Sequence, residues 1–310
     1  MRKQLCDALL SRSSNENMIF LTGDLGFMAL EPLQQSMGNR FINAGLAEQN
    51  MISVAAALAA QGFEVWVYSI ASFLFARPFE QIRNDVAFHH LPVNFIGNGG
   101  GYGYGVMGPT HHAIGDYGAL LTLPNFEVFV PVFDEDVNVA VSRAAASKNA
   151  TYVRLGRTET VPGYPVPPYD RLRQLTRGDG GTLIAVGPLA GLYASAFAGL
   201  PITERPNIWA AAEICLTPDA IPKTLLEQIL QGPGLCIAEE HVRHGSFASD
   251  FMLRLSSLGV YPKLFHHSCA LAHHYDRYGS QTYLRKKSQL DPEAVLAVLN
   301  SFKEKAVQLR

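Results

Sequence analysis

The chain has 310 residues, of which 48% are hydrophobic and 17% charged, with a formal net charge of −2. This length is sufficient for two domains with buried cores, and the charge gives no electrostatic reason to expect binding to nucleic acid or to a membrane. No apolar run approaches the ~20 residues of a membrane span, and the N-terminal stretch lacks the apolar core of an export signal. The four cysteines form no CxxC pair, so we expect reduced thiols and a cytoplasmic protein.

Short apolar strands alternate with helical stretches along the first half of the chain. After an amphipathic first helix, strands are predicted at 18–24, 64–70, 91–98, 126–132 and 150–156. Strands separated by helices indicate a parallel sheet with crossover helices. A passage with four prolines between positions 162 and 168 then predicts an interdomain linker.

A second α/β pattern follows the prolines. Its strands are predicted at 182–187, 207–214 and 234–240, and a helix is predicted from 291 to 310, with Pro292 in its first turn. The predicted fold is therefore α/β with two domains, each a mostly parallel sheet flanked by helices. We assign residues 1–160 to the first domain, 161–177 to a Pro-rich linker and 178–310 to the second domain.

The segment from Gly45 to Gly62 predicts a buried helix that contains a single carboxylate. It is rich in Ala and Leu, has glycine at both ends, and carries Glu48 as its one charge. A carboxyl group removed from water resists ionising, so its pKa rises and it can share a proton near neutral pH. Such a group suits general acid/base chemistry or a hydrogen bond to a cofactor ring. The alternative is a solvent-facing Glu stabilised by the helix dipole.

Four collinear blocks surround this helix and resemble one family. They are FINAGLAEQNM (41–51), SFLFARPFEQIRND (72–85), GPTHHAIGD (108–116) and LPNFEVFVPVFDED (123–136). In order and spacing these blocks resemble the pyrimidine-binding domain of transketolases, and the second α/β pattern is similar to the C-terminal domain of that family. The resemblance implies that Glu48 contacts N1′ of the aminopyrimidine of thiamine diphosphate.

The resemblance also implies further cofactor contacts. The side chain that packs on the aminopyrimidine falls among Phe73, Leu74 and Phe75. An ungapped match from Glu48 puts Leu74 at the stacking position, flanked by two rings, and leaves open which one stacks; core residues at the end of a strand are the alternative. Asp24 matches an Asp at the cofactor edge, although an ordinary turn Asp fits the same position.

Substrate contacts follow from the same comparison. His111, rather than its neighbour His112, matches the histidine that hydrogen-bonds substrate hydroxyls beside the thiazolium, so we predict a catalytic and substrate-binding role for it. Arg157 falls where the family keeps an arginine for the substrate phosphate. Arg2 lies near the place of another, although an exposed arginine there is also compatible with plain solvated surface.

The segment before GPTHH departs from ordinary sugar-phosphate transketolases. The usual acidic pair is replaced by Val106 and Met107, and the histidine that assists phosphate binding corresponds to Gly99 in the run NGGGYGYG. We expect this run, with Tyr102 and Tyr104, to form a flexible and less charged wall. The identity of the sugar is therefore open, whereas activation of the cofactor is not affected.

No metal site is predicted in this chain. The string Gly178-Asp179-Gly180, followed at a distance by Asn207, matches the diphosphate motif of complete transketolases, but a predicted strand follows it directly and favours an ordinary turn. A late histidine cluster has no standard metal-site spacing. It comprises His266, His267, His273 and His274, with Cys269 between them.

The resemblance covers only the domains that follow the pyrophosphate-binding domain of a complete transketolase, and it therefore implies half a cofactor site. It indicates a β-type subunit of a split transketolase, active with an α-type subunit in an α2β2 assembly, with Mg²⁺ held mainly by that partner. The implied reaction moves a two-carbon ketol unit from a ketose to an aldose, with sugars or sugar phosphates as substrates. The alternatives are a 1-deoxyxylulose-phosphate-synthase-like carboligase, the β subunit of a 2-oxo-acid dehydrogenase, and a non-catalytic regulatory subunit.

Overall fold

The computed structural model describes residues 1–160, 163–214, 216–271 and 278–308, with residues 306–308 described by their backbone alone. The first half of the chain forms a parallel sheet with helices on both faces. Its strands are β1 (Met18–Thr22), β2 (Phe41–Asn43), β3 (Glu64–Ile70), β4 (Val93–Asn98), β5 (Phe126–Phe129) and β6 (Ala150–Leu155). Its helices are α1 (Arg2–Leu10), α2 (Glu31–Met37), α3 (Glu48–Ala60), α4 (Ala71–Ala76), α5 (Phe79–Gln81), α6 (Asp116–Leu120) and α7 (Asp136–Ala146).

The strand order of this sheet is β2-β1-β3-β4-β6-β5, and every neighbouring pair is parallel. Helices cover both faces, so β1, β4 and β6 are buried along their whole length. The five predicted strands of this half are confirmed. The sequence did not predict β2, because three residues are too few for a periodic signal.

The second half forms a smaller sheet whose strands are β7 (Leu172–Thr176), β8 (Thr182–Val186), β9 (Asn207–Ala211), β10 (Leu235–Glu239) and β11 (Phe265–Cys269). Its helices are α8 (Leu189–Ala196), α9 (Lys223–Gln231), α10 (Phe247–Ser257), α11 (Gln281–Lys287) and α12 (Pro292–Gln308). The order is β11-β10-β8-β9-β7, with β7 antiparallel to β9 and the other pairs parallel. The predicted mostly parallel α/β architecture is therefore correct in both halves.

Strand β7 lies inside the range predicted to be a linker. Its residue Arg173 is 5% exposed, and Arg173 Nη2 donates to Asp136 Oδ2 of α7 at 2.5 Å. Residues 172–176 are thus an edge strand of the second sheet, and the Pro-rich composition of the preceding stretch does not extend to them. The remaining domain boundaries stay a prediction.

The two sheets share buried contacts. One cluster of buried apolar side chains includes Tyr152 of the first sheet and Trp209 of the second. The backbone N–H of Val130 donates to the carbonyl of Ala212 at 2.7 Å. Apolar burial and backbone hydrogen bonding therefore hold the two halves together. Within the described ranges, no helix has the length and apolar character needed to cross a membrane.

Candidate active site

The predicted site residues converge at the carboxyl edge of the first sheet. Asp24 follows β1, Glu48 follows β2, Phe73 follows β3, and His111 lies in the loop after β4. Parallel strands end at the same edge, so loops far apart in sequence meet there, and α/β proteins commonly bind ligands at this edge. The site therefore depends on the sheet order and not on sequence proximity.

Glu48 is the first residue of α3 and is 4% exposed. Gly45 precedes it with φ 70°, a left-handed conformation that favours glycine and lets the chain turn from β2 into the helix. At the other end Gly62 has φ 89°, as expected of a glycine just beyond a helix C-terminus. The predicted burial of this carboxylate is confirmed, and its position at a helix N-terminus is electrostatically favourable.

The structure separates the three candidates for the stacking position. Leu74 is 1% exposed and lies in the hydrophobic core, and Phe75 is partly buried against the same cluster. Phe73 contacts other site residues, with its ring centroid 4.9 Å from that of His111. The ungapped match that puts Leu74 at the stacking position is therefore not supported, because the helical turn of α4 directs Leu74 into the core and Phe73 toward the site.

Arg77 is a site residue that the sequence analysis missed. Arg77 Nη1 donates to Glu48 Oε1 at 2.7 Å, and the guanidinium carbon lies 3.8 Å from the centre of the Phe73 ring. A signal was present in the sequence, since Arg77 is four residues after Phe73 and such a pair shares one face of a helix. What the sequence did not show is that α3 brings Glu48 to the same face.

His111 ends a short 3-10 turn over Pro109–His111. Its pKa is lowered, chiefly because burial disfavours the charged imidazolium and secondarily because the positive charge of Arg77 is nearby. A largely neutral imidazole can both donate and accept a hydrogen bond. His112 is 4% exposed and its ring lies 5.3 Å from that of the buried Tyr102. The choice of His111 over His112 remains a prediction, and this placement supports it.

The glycine-rich run is only partly the wall that the sequence suggested. Tyr104 lies near His111, with ring centroids 6.4 Å apart, and Asn98 donates a hydrogen bond to its hydroxyl. Tyr102 is instead 3% exposed, and its hydroxyl is 2.9 Å from Ser288 Oγ in the second half of the chain. The expectation that Tyr102 lines the site is therefore wrong, because its hydroxyl finds a buried partner.

Gly99 itself leaves no room for a histidine. Its φ is 73°, and a Cβ built on it would clash with the ring of Tyr104. A side chain there would be strained and would displace Tyr104. Beyond it in the same loop, Val106 is 63% and Met107 59% exposed. The backbone conformation of Gly99 and the packing of Tyr104 thus exclude a histidine at position 99.

Asp24 is exposed and has φ 57°. Its Oδ1 accepts from Asn43 Nδ2 at 3.0 Å, and its backbone N–H donates to Asn43 Oδ1 at 3.0 Å. This reciprocal pair ties the end of β1 to the end of β2, which is a structural role in the turn.

The two predicted arginines lie at neighbouring positions of the same edge. Arg2 hydrogen-bonds Tyr68, which is at the carboxyl end of β3. The backbone N–H of Gly156 lies 3.3 Å from Met1 Sδ. Arg157 follows Gly156 and Arg2 follows Met1, so the backbones of the two arginines are close together. Both arginines are exposed.

The diphosphate-like string in the second half forms a turn. The backbone N–H of Gly178 donates to Asn207 Oδ1 at 3.3 Å, and that of Asp179 donates to the carbonyl of Ile202 at 2.8 Å. The turn lies before β8, at the amino edge of the second sheet. Asn207 is therefore occupied in stabilising the turn.

The late histidine cluster also has a structural partner. His267 Nε2 lies 2.8 Å from Glu239 Oε1, and Glu239 also accepts from the backbone N–H of Phe247 and Ala248 at the start of α10. His273 and His274 lie outside the described residues. Among the residues that the structure describes, no group of three or more His, Cys, Asp or Glu side chains could hold a metal ion.

The chain is similar to known proteins of one family. Residues 9–162 match the transketolase pyrimidine-binding domain family. The chain is 28% identical to one of the subunits of the apulose-4-phosphate transketolase of Phocaeicola vulgatus, over 82% of this chain and 83% of that protein. It is 30% identical to 1-deoxy-D-xylulose-5-phosphate synthase 2 of Geobacter sulfurreducens, over 83% of this chain but only 41% of that longer protein.

A solved structure extends the likeness beyond the first sheet. A split-gene transketolase in an inactive β4 tetramer superposes with a TM-score of 0.80 at 26% identity, covering 99% of this chain and 98% of that one. The match therefore includes both halves of the fold and not only the pyrimidine-binding domain. The chain carries a transketolase pyrimidine-binding domain and corresponds as a whole to the C-terminal half of transketolase, as found in the β subunit of a split transketolase.

Proposed function

We propose that this chain is the β-type subunit of a thiamine-diphosphate-dependent enzyme that transfers a two-carbon ketol unit from a ketose to an aldose. The observation that carries the proposal is the buried carboxylate of Glu48, 4% exposed, at the same sheet edge as the ring of Phe73 and the imidazole of His111. Similar proteins include a transketolase subunit and a 1-deoxyxylulose-phosphate synthase. Glu48 in its buried position argues against a non-catalytic subunit.

The residues at this edge fit the aminopyrimidine half of the cofactor. A buried carboxyl group can share a proton with a ring nitrogen that has a free lone pair, and an aromatic face packs on a flat heterocycle. Glu48 supplies the first group and Phe73 the second. Asp24 would contribute at the edge of the same half-site. When bound, thiamine diphosphate supplies the nucleophilic carbon that receives the two-carbon fragment.

The chain's own groups have distinct tasks in this reaction. Glu48 holds and shares a proton at its carboxylate oxygen, which polarises the ring that it contacts. His111, with its lowered pKa, donates to or accepts from a substrate hydroxyl. Arg2 and Arg157 bind an anionic group on the substrate, and their long side chains allow it to approach along the exposed edge.

The proposed partner is an α-type subunit with a pyrophosphate-binding domain, in an α2β2 assembly. This partner would supply most of the contacts to Mg²⁺ and to the diphosphate. The assembly would act in the cytoplasm. Support comes from the similarity to a transketolase subunit and to a split-gene transketolase. The exposed apolar side chains at this edge, including Phe27 at 71% and Leu46 at 76%, are available for such a contact.

The isolated chain is expected to bind thiamine diphosphate weakly or not at all, because most contacts to the diphosphate and metal would come from the partner. Titration calorimetry with Mg²⁺ present measures this directly. The matched measurement uses the chain co-expressed with the protein that carries the pyrophosphate-binding motif. Micromolar, metal-dependent binding by the chain alone would contradict the split-enzyme proposal, and so would transketolase activity without the partner.

The assembled enzyme is expected to use xylulose 5-phosphate and ribose 5-phosphate poorly. Val106, Met107 and Gly99 remove charged hydrogen-bonding groups, and a hydrogen bond to a charged group contributes about 1.5–3 kcal/mol, or one to two decades in specificity. We expect a preference for a modified, deoxygenated or differently anchored sugar.

Steady-state kinetics on a panel of ketose donors and aldose acceptors checks this expectation. Pyruvate belongs in the panel, because use of pyruvate as donor with release of carbon dioxide would identify a 1-deoxyxylulose-phosphate-synthase-like reaction instead. Catalytic efficiency on the ordinary pentose phosphates equal to that on every alternative would show that Val106 and Met107 do not affect specificity.

A further inference from the structure

We propose that the side chain of Arg77 competes with the aminopyrimidine ring for Glu48 and Phe73, and moves aside when the ring binds. This inference rests on the proposed function and adds a group to it. Arg77 Nη1 donates to Glu48 Oε1 at 2.7 Å, while its guanidinium carbon lies 3.8 Å from the centre of the Phe73 ring. The Arg77 side chain thus contacts both Glu48 and Phe73, the two groups that the aminopyrimidine is expected to contact.

The chemistry of the guanidinium group explains the double contact. It is flat, delocalised and always charged, so it packs on an aromatic face and donates in its own plane to a carboxylate. An aminopyrimidine is also flat and presents a hydrogen-bonding edge. Both therefore require the same arrangement of a ring face and a carboxylate. Since Arg77 already meets that requirement, the two groups compete for one position.

The exposure of the two partners indicates which one moves. The side chain of Glu48 is 4% exposed, whereas that of Arg77 is 46% exposed. Moving Glu48 would require repacking the start of α3, but Arg77 has open solvent beside it and a long flexible stem. Its backbone stays anchored, because Gln49 Nε2 donates to the carbonyl of Arg77 at 3.4 Å. The side chain can therefore leave while α3 and α4 remain in register.

Arg77 has a second effect that can be measured separately. Its charge contributes to lowering the pKa of His111, after the larger effect of burial. Departure of the guanidinium group from Phe73 removes positive charge from the neighbourhood of His111. Before the ring binds, Arg77 is thus paired with Glu48 and contributes to the lowered pKa of His111. When the ring displaces Arg77, that contribution to the pKa of His111 is lost.

The test compares Arg77→Met and Arg77→Lys with the native chain. Methionine keeps much of the side-chain length but removes the competing cation, so it should tighten thiamine diphosphate binding to the assembled enzyme about 10-fold, if the open state is about one tenth populated. Lysine keeps the charge without the flat face and should give an intermediate affinity. Titration calorimetry and the near-ultraviolet dichroism of the bound cofactor provide the readout.

Arg12→Met is the matched control. Arg12 pairs with Glu64 at 2.8 Å at the opposite edge of the first sheet, so this variant removes an Arg–Glu ion pair without touching the site. We expect unchanged cofactor affinity. In the isolated chain, NMR titration of the His111 imidazole gives a measurement that needs no partner: Arg77→Met should raise its pKa, and Arg12→Met should leave it unchanged.

The outcomes separate this inference from the proposed function. No binding by the native assembly would refute the proposed function. Native binding combined with equal or weaker binding by Arg77→Met would overturn the displacement proposal and leave the function standing. An unchanged His111 titration in Arg77→Met would show that the guanidinium group does not occupy this position in solution.

Discussion

Glu48→Gln is expected to lower the turnover of the assembled enzyme by at least ~100-fold, the scale for loss of a group that transfers a proton. An amide has nearly the volume of the carboxyl group but cannot accept and return a proton. The fold should persist, because the partner of Glu48 is the half-exposed Arg77, which water can solvate. Activity of the mixed subunits, with thermal unfolding of the isolated variant, measures both effects.

Glu16→Gln is the control for this variant. Glu16 is exposed in the turn before β1, at the opposite edge of the sheet from Glu48. It should leave both turnover and stability unchanged. Near-normal activity of Glu48→Gln with its partner would mean that Glu48 does not activate the cofactor, and the proposed mechanism would then lose its central group.

Arg154→Met is expected to lower the free energy of unfolding by about 3–5 kcal/mol, the cost of breaking a buried ion pair on one side. Arg154 Nε donates to Asp116 Oδ2 at 2.7 Å, and the side chains are 6% and 0% exposed. Its Nη2 also donates to the carbonyl of Glu240 at 2.9 Å. The variant leaves the Asp116 carboxylate buried and removes a link between the two halves. Urea unfolding of the isolated chain measures the loss.

Two further variants make this prediction specific. Arg12→Met breaks a more exposed ion pair and should cost no more than about 1 kcal/mol. The double variant Arg154→Met, Asp116→Asn should recover part of the stability, because it removes the unpaired charge as well. A loss below about 1 kcal/mol in Arg154→Met would show that water or local rearrangement solvates Asp116.

The predicted elements and the first site residue came from local signals. Alternating apolar strands and helices predicted the parallel sheets, and one charge in an Ala-rich segment marked Glu48. Buried parallel strands are nearly continuous apolar runs, so they can be predicted from the sequence without knowledge of the tertiary structure. The short strand β2 and the edge strand β7 carry no such run, and hydrogen bonding to neighbours defines them.

Side-chain direction was the part that sequence could not supply. From the sequence, Phe73, Leu74 and Phe75 are equally plausible stacking residues. In the structure, α4 places the Leu74 side chain in the core and the Phe73 side chain at the site. Tyr102 and Tyr104 lie two residues apart in one glycine-rich run. The hydroxyl of Tyr102 hydrogen-bonds the buried Ser288, so Tyr102 does not line the site. In each case the decisive neighbour is distant in the chain.

The sequence by itself determined the α/β fold class, the resemblance to the pyrimidine-binding domain and the position of Glu48. These depend on periodicity, composition and spacing, which are local properties. Only the tertiary structure decided that Arg77 pairs with Glu48 over the ring of Phe73, since the two residues lie on α3 and at the end of α4. The physical reason is the parallel sheet: its strand order, set by packing across the whole domain, brings the ends of separate helices to one edge.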